Sequence, residues 1–224
     1  MLRRFRVFFL VFVGTAALLT IVPASLYFAA HYEPDFYGEA LKTDRKTLEK
    51  DSDAMLQQTA GLFSAIQKPG RWSARFTDEQ INGWLSVDLV KNHPKALPEK
   101  LSDPRVAIRN KKLTLGCRYT HDGTAHVISV TLEPYVAKPN VLAIRVINVR
   151  AGLLPVPLNR VLDGISQAAK DSQLHLEWQR EGADPVALLT LPEDEDREAI
   201  IRVESLHVEN GAIYIGGTTK KRNG

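Results

Sequence analysis

Cysteine is almost missing from this chain of 224 residues: Cys117 stands alone, which excludes an internal disulfide. A domain exported to an oxidising compartment must then rest on its hydrophobic core. Cys117 sits in an alternating strand pattern, where a lone thiol behaves as a small apolar side chain. An excess of charge is also lacking. The net charge of +3 is matched by Arg3, Arg4 and Arg6, so the rest of the chain is close to neutral despite a pI of 8.9. No basic face of the kind that reads nucleic acid remains, and no nucleic-acid partner is expected. Catalytic signatures are missing too. The six histidines, His31, His93, His121, His126, His175 and His207, show no HExxH spacing, and there is no CxxC, GxSxG, P-loop or Rossmann glycine pattern. No metal, no cofactor and no catalytic residue is expected. His121 and His126 straddle a hairpin, and His175 and Glu177 share a strand face. An exposed turn and a polar outer face produce the same letters.

The longest absence is of charge between Val7 and Ala30. At about 1.5 Å per residue, a helix over this run exceeds the roughly 30 Å hydrocarbon core of a bilayer. The arginines before it favour a cytoplasmic N-terminus, with everything after His31 on the far side. Residues 1–32 are therefore expected to be a single-pass membrane anchor, and the rest to be extracytoplasmic. A cleaved signal ending at Val22-Pro23-Ala24 is the competing reading. The apolar run continues through Leu26, Tyr27 and Phe28, which favours retention, and either reading exports the domain.

After the anchor, residues 33–70 read as one long amphipathic helix from Pro34 to Lys68. Leu41, Leu48, Met55 and Leu62 fall seven residues apart, with Phe63 and Ile66 extending the stripe. Arg45, Ser52 and Thr59 interrupt the intervening positions, which favours a helix packed along its own domain over a coiled-coil stalk.

Residues 71–219 carry the main domain, and residues 220–224 a frayed basic tail. Phe76-Thr77-Asp78-Glu79-Gln80-Ile81 is a complete helix start, with Thr77 and Gln80 as a capping box. Ile81, Trp84, Leu85 and Leu89 form the apolar face of that helix, which must end before His93-Pro94. Trp84 suits either docking on a sheet or lining a cavity. Period-two alternation follows in Val106 and Ile108, in Leu113, Leu115, Cys117 and Tyr119, and in Ile128, Val130 and Leu132, which run to Pro134. Asp122-Gly123 reads as a tight hairpin turn. Val141 to Val149 is a further strand. Pro155 and Pro157 make the next segment an extended crossover, and Leu158, Val161, Leu162, Ile165 and Ala169 mark a helix. Leu174 to Trp178 and Val186 to Leu191 alternate as strands, with Asp184-Pro185 and Asp103-Pro104 as turn initiators. Pro192 to Glu198 is an acidic loop, and a final hairpin turns at Asn210-Gly211.

This order resembles a known group. Thr77, Ile81, Asn82 and Leu85 match the phrase "Ser/Thr-x-x-x-hydrophobic-Asn-x-x-Leu". Leu154-Pro155-Val156-Pro157 matches a leucine-proline-hydrophobic-proline step before an inner helix. With the anchor, they resemble the membrane-anchored bacterial envelope proteins of the YpmS, LmeA and YceB kind, which are similar to the tubular lipid-binding (TULIP) superfamily. The resemblance covers roughly residues 75–218. It implies an α+β fold, with a curved antiparallel β-sheet packed on one or two helices. It also implies a non-catalytic protein that binds a lipid or lipid-like chain in an apolar groove. On that reading Leu153, Leu154, Val156, Leu158, Val161, Leu162 and Ile165 form one wall, and Ile81, Trp84 and Leu85 a second. The expected partners are the membrane and a lipid ligand. The alternative is an interaction module in which the 34–68 helix and the sheet edges recruit an envelope protein.

Overall fold

The computed structural model describes residue 25 and residues 27–171, 174–191, 199–209 and 211–221. The anchor expected over residues 1–32 lies mostly outside them, as do the 192–198 loop, Asn210 and residues 222–224. Among the described residues, no helix is long and apolar enough to cross a membrane.

The fold is α+β with a large antiparallel sheet. Helices α1 (Asp35–Leu41) and α2 (Arg45–Ile66) replace the single helix expected from Pro34 to Lys68. Asp44 makes the break. Its extended backbone and its carboxylate, which accepts from the Thr47 N–H at 3.1 Å and the Thr47 hydroxyl at 2.7 Å, start α2 afresh. Strand β1 (Gly70–Thr77) follows, in a stretch that sequence periodicity left unassigned. Helix α3 (Asp78–Ser86) opens with the expected capping box: the Gln80 N–H reaches Thr77 Oγ1 at 3.2 Å, and the Thr77 N–H reaches Gln80 Oε1 at 3.0 Å. The chain kinks at Val87 before α4 (Asp88–Asn92).

Strands β2 (Leu101–Arg109), β3 (Lys112–His121), β4 (Thr124–Lys138) and β5 (Val141–Ala151) form the expected antiparallel meander. Strand β4 runs on past Pro134, which pairs with Ile144, where the sequence reading ended the strand. Asp103-Pro104 likewise lies within β2, at an irregularity between Ser102 and Arg105, and not in a turn. The crossover folds into a turn and a short strand β6 (Leu154–Pro155) that pairs back on β5. Helix α5 (Leu158–Asp171) leads to β7 (His175–Glu181) and β8 (Asp184–Thr190), so Asp184 and Pro185 begin a strand after the turn. The C-terminal strands β9 (Ala199–Glu209) and β10 (Ala212–Lys221) join β1 in a second sheet of order β1-β10-β9.

The large sheet has the order β2-β3-β4-β5-β8-β7, with β6 on β5. Two of the joints between it and the rest are made by Asn140 and Tyr37. Asn140, in the left-handed region at φ 62°, exchanges side-chain and backbone bonds with Ile201 and Val203 of β9 at 2.8–3.1 Å. Tyr37 of α1 is fully buried, and its hydroxyl donates to the Asp103 carbonyl at 2.8 Å. Burial raises its phenol pKa above the ordinary value.

Candidate functional site

Cross-strand register shows which residues share each face of the large sheet. One face carries the ladders Ile108–Leu113–Leu132–Val146 and Val106–Leu115–Val130–Val149, then Cys117–Ile128–Ala151. It continues with Pro134–Ile144–Ala187–Trp178 and Val136–Leu142–Leu189–Leu176. Every member is apolar. The opposite face reads Arg105–Gly116–Ser129–Arg150, Ala107–Thr114–Thr131–Asn148, Glu133–Arg145–Val186–Gln179 and Tyr135–Ala143–Leu188–Glu177. One face of the sheet is therefore apolar in every one of these ladders, and the other is mixed. At about 4.8 Å per strand, its apolar face spans roughly 24 Å from β2 to β7.

Packing over that face is uneven. Val106, Ile108, Val146, Val149 and Ala187 are buried. Leu113, Leu115, Cys117, Ile128, Val130, Leu132, Leu142, Ile144, Leu176, Trp178 and Leu189 are only half-buried. Burial raises the Cys117 thiol pKa above its ordinary value, so the sulfur is a protonated, weakly nucleophilic wall atom.

Helix α5 touches β7 and β5. The Trp178 indole N–H, on the apolar side, donates to Ser166 Oγ at 2.8 Å, and that hydroxyl donates to the Leu162 carbonyl at 2.8 Å. Leu158, Leu162 and Ile165 are half-buried, while Ala169 is buried. Val161 lies in α5, but its side chain is outside the described set. Leu154 and Val156 are half-buried, and Leu153 is 48% exposed at the β5–β6 turn. That turn holds the end of the preceding segment. The Leu153 N–H donates to the Ala29 carbonyl at 2.8 Å. At Gly152, with φ +59°, an added Cβ would stand 2.3 Å from the same oxygen.

Ile81, Trp84 and Leu85 are half-buried on α3, which packs against α2, β2, α4 and β1. The structure does not bring them beside the 158–165 stripe. The two sets stand at opposite ends of the strand order, flanking β2 and β7 respectively. The sequence reading sets the groove between sheet and helix but names no residue of strands β2 to β5, β7 or β8 as its wall. The sheet's signal was the apolar alternation in five strands, which names a face only once register is known.

A cleft of about 300 Å³ between α1, α2 and β2 contains Glu39, Asp51, Asp78 and Glu79 opposite Arg109, whose guanidinium meets Asp78 at 2.7 Å. Burial, then the neighbouring Glu79, raises the Asp51 pKa. Among the described residues, no group of three His, Cys, Asp or Glu is placed to hold a metal ion. His121 and His126 do not meet across their hairpin: His121 lies beside Asp122 at 3.3 Å, while the His126 ring sits 4.5 Å from that of His31. His175 and Glu177 are 3.0 Å apart and exposed. No family model, no curated protein and no solved structure matches the chain.

Proposed function

We propose that this is a membrane-anchored, extracytoplasmic, non-catalytic protein that holds a lipid or lipid-like chain against the apolar face of its large sheet. The observation that carries the reading is the coincidence of two incompletely packed apolar surfaces. One is the set of all-apolar ladders from β2 to β7, and the other is the half-buried stripe Leu158, Leu162 and Ile165 on α5. A sheet and helix meant only to form a core would bury these residues in each other, since a fully buried leucine contributes about 1.5–3 kcal/mol. An acyl chain laid between them gains about 0.8 kcal/mol for each CH₂ removed from water.

The resemblance to the TULIP kind supports the same reading, with a curved sheet around a helix as its finer form. The charge-free run from Val7 to Ala30 behind Arg3, Arg4 and Arg6 supports the location. It would tether the face close to the bilayer that supplies its guest.

Native mass spectrometry of the full chain, released from detergent micelles, tests the proposal. A defined number of retained lipids in the wild type, lost in Leu162→Asp, is the expected result. Equal lipid retention by both proteins, with far-UV circular dichroism unchanged, would overturn it.

A further inference from the structure

We propose that β7 is a dimerisation edge, at which two copies of this chain pair their His175–Glu181 strands antiparallel about a two-fold axis through Trp178. The two edges of the large sheet are treated differently. At β2, side chains of α3 take up the outer backbone groups: Asn82 bonds both the N–H and the C=O of Val106, and Asp78 accepts from the Ile108 N–H. At β7, β8 supplies the pairing on one side, and among the described residues no backbone group pairs on the other. Strand β7 contains no proline, glycine or lysine, and its register with β8 shows no bulge. Of the devices that natural edge strands carry against pairing, β7 has only its charges, Glu177, Arg180 and Glu181, so its outer backbone groups remain a template for another strand.

The charges of β7, of which His175 also meets Glu177 and Glu181 also meets Arg145 within the chain, suit a second copy of the strand in one register. A continuous apolar face requires paired residues to lie on the same side of the sheet. Among such registers, a centre at Glu177 sets Glu177 against its own copy, and a centre at Gln179 sets Glu177 against Glu181. A centre at Trp178 opposes His175 to Glu181, Leu176 to Arg180, Glu177 to Gln179 and Trp178 to itself. It contains no like-charge pair and uses the whole strand. It also brings Trp178, at the rim of the apolar face, against its counterpart, with a Leu176–Arg180 pair on either side of the two tryptophans. This pairing stands whether or not the face holds lipid.

The experiment measures the mass of the full chain in detergent by light scattering, corrected for bound detergent. Wild type is expected at twice 25.0 kDa. The double variant Glu177→Lys, Gln179→Lys sets lysine opposite lysine at two places and is expected to be monomeric. Glu177→Lys with Gln179→Glu sets lysine opposite glutamate and is expected to restore the dimer, which a folding defect would not do. In a Cys117→Ser background, Trp178→Cys is expected to give a disulfide-linked dimer under mild oxidation, because directly opposed Cβ atoms lie about 4.5–5.5 Å apart. A monomeric wild type overturns the proposal, as does a dimer that survives the double-lysine change. A monomer whose β7 crosslinks to a different polypeptide overturns it as well.

Discussion

The Asn82 carboxamide donates to the Val106 carbonyl at 2.8 Å and accepts the Val106 N–H at 2.7 Å, so one side chain supplies what a neighbouring strand would. One turn earlier, Asp78 accepts from the Ile108 N–H at 3.2 Å, and Gly211 donates to the Ile108 carbonyl at 3.1 Å. The asparagine of the helix-start phrase therefore closes a sheet edge. Replacing Asn82 with alanine strands two polar groups beside Val106, which is only 1% exposed. The expected loss is about 2–6 kcal/mol of stability in denaturant unfolding, at roughly 1–3 kcal/mol per orphaned group. Asn82→Asp keeps the acceptor but turns a carboxylate toward the Val106 carbonyl. It should be at least as damaging at pH 7 and partly recover as the carboxyl protonates.

Helix α3 crosses α2 at Gly83, where an added Cβ would stand 2.5 Å from the Ser52 nitrogen and 2.7 Å from the Leu48 oxygen. Gly83→Ala gains about 1 kcal/mol of helix propensity but forces two backbones apart, at a cost of about 1–3 kcal/mol. A net loss of stability is expected. At Gly61, on α2, an added methyl group would meet nothing within 4 Å, so Gly61→Ala should stabilise by about 0.5–1 kcal/mol. Thermal unfolding of the two variants should shift in opposite directions.

The bond from Trp178 to Ser166 is a polar tie between α5 and the sheet. Ser166→Ala removes the acceptor, at a cost of about 1 kcal/mol. Hydrogen exchange should quicken in α5 and leave β3 and β4 unchanged. Uniform acceleration would mean that α5 is part of the main core and not a separately opening cover.

Cys117 gives the pH-dependent prediction. Its folded-state pKa is raised by burial, so the folded protein binds more protons than the unfolded one as pH passes the ordinary thiol value. Stability should therefore fall with rising pH above about 8.5, and Cys117→Val should remove that part of the slope. Alkylation of Cys117 should be slow at pH 8 and slower still with phospholipid present, if the lipid covers the apolar face.

Local chemistry was legible in the sequence, and long-range pairing was not. The Thr77–Gln80 capping box, the Asp122-Gly123 turn and the alternation in β3 and β4 each depend on residues close together in the chain. Strand β1 was not found because its identity comes from pairing with β10: Gly70 meets Thr219 and Thr77 meets Ala212. The α1–α2 break was hidden because Asp44 looks like any solvated residue in a charged helix until its carboxylate turns onto Thr47. Asn82 was recognised as part of a phrase, but its bonds to Val106 cross 24 positions of sequence. The candidate wall divided in the same way. The 158–165 stripe has helical spacing that can be read directly, whereas the sheet ladders exist only in register.

The most direct test of the account places a photoreactive phenylalanine analogue at single positions of the full chain in membranes. Val130 and Thr131 are adjacent on β4 and face opposite sides, as do Leu115 and Thr114 on β3. After irradiation, mass spectrometry should find lipid adducts at positions 130 and 115 and none at 131 and 114. Adducts at all four positions, or at none, would contradict a lipid held on the apolar face.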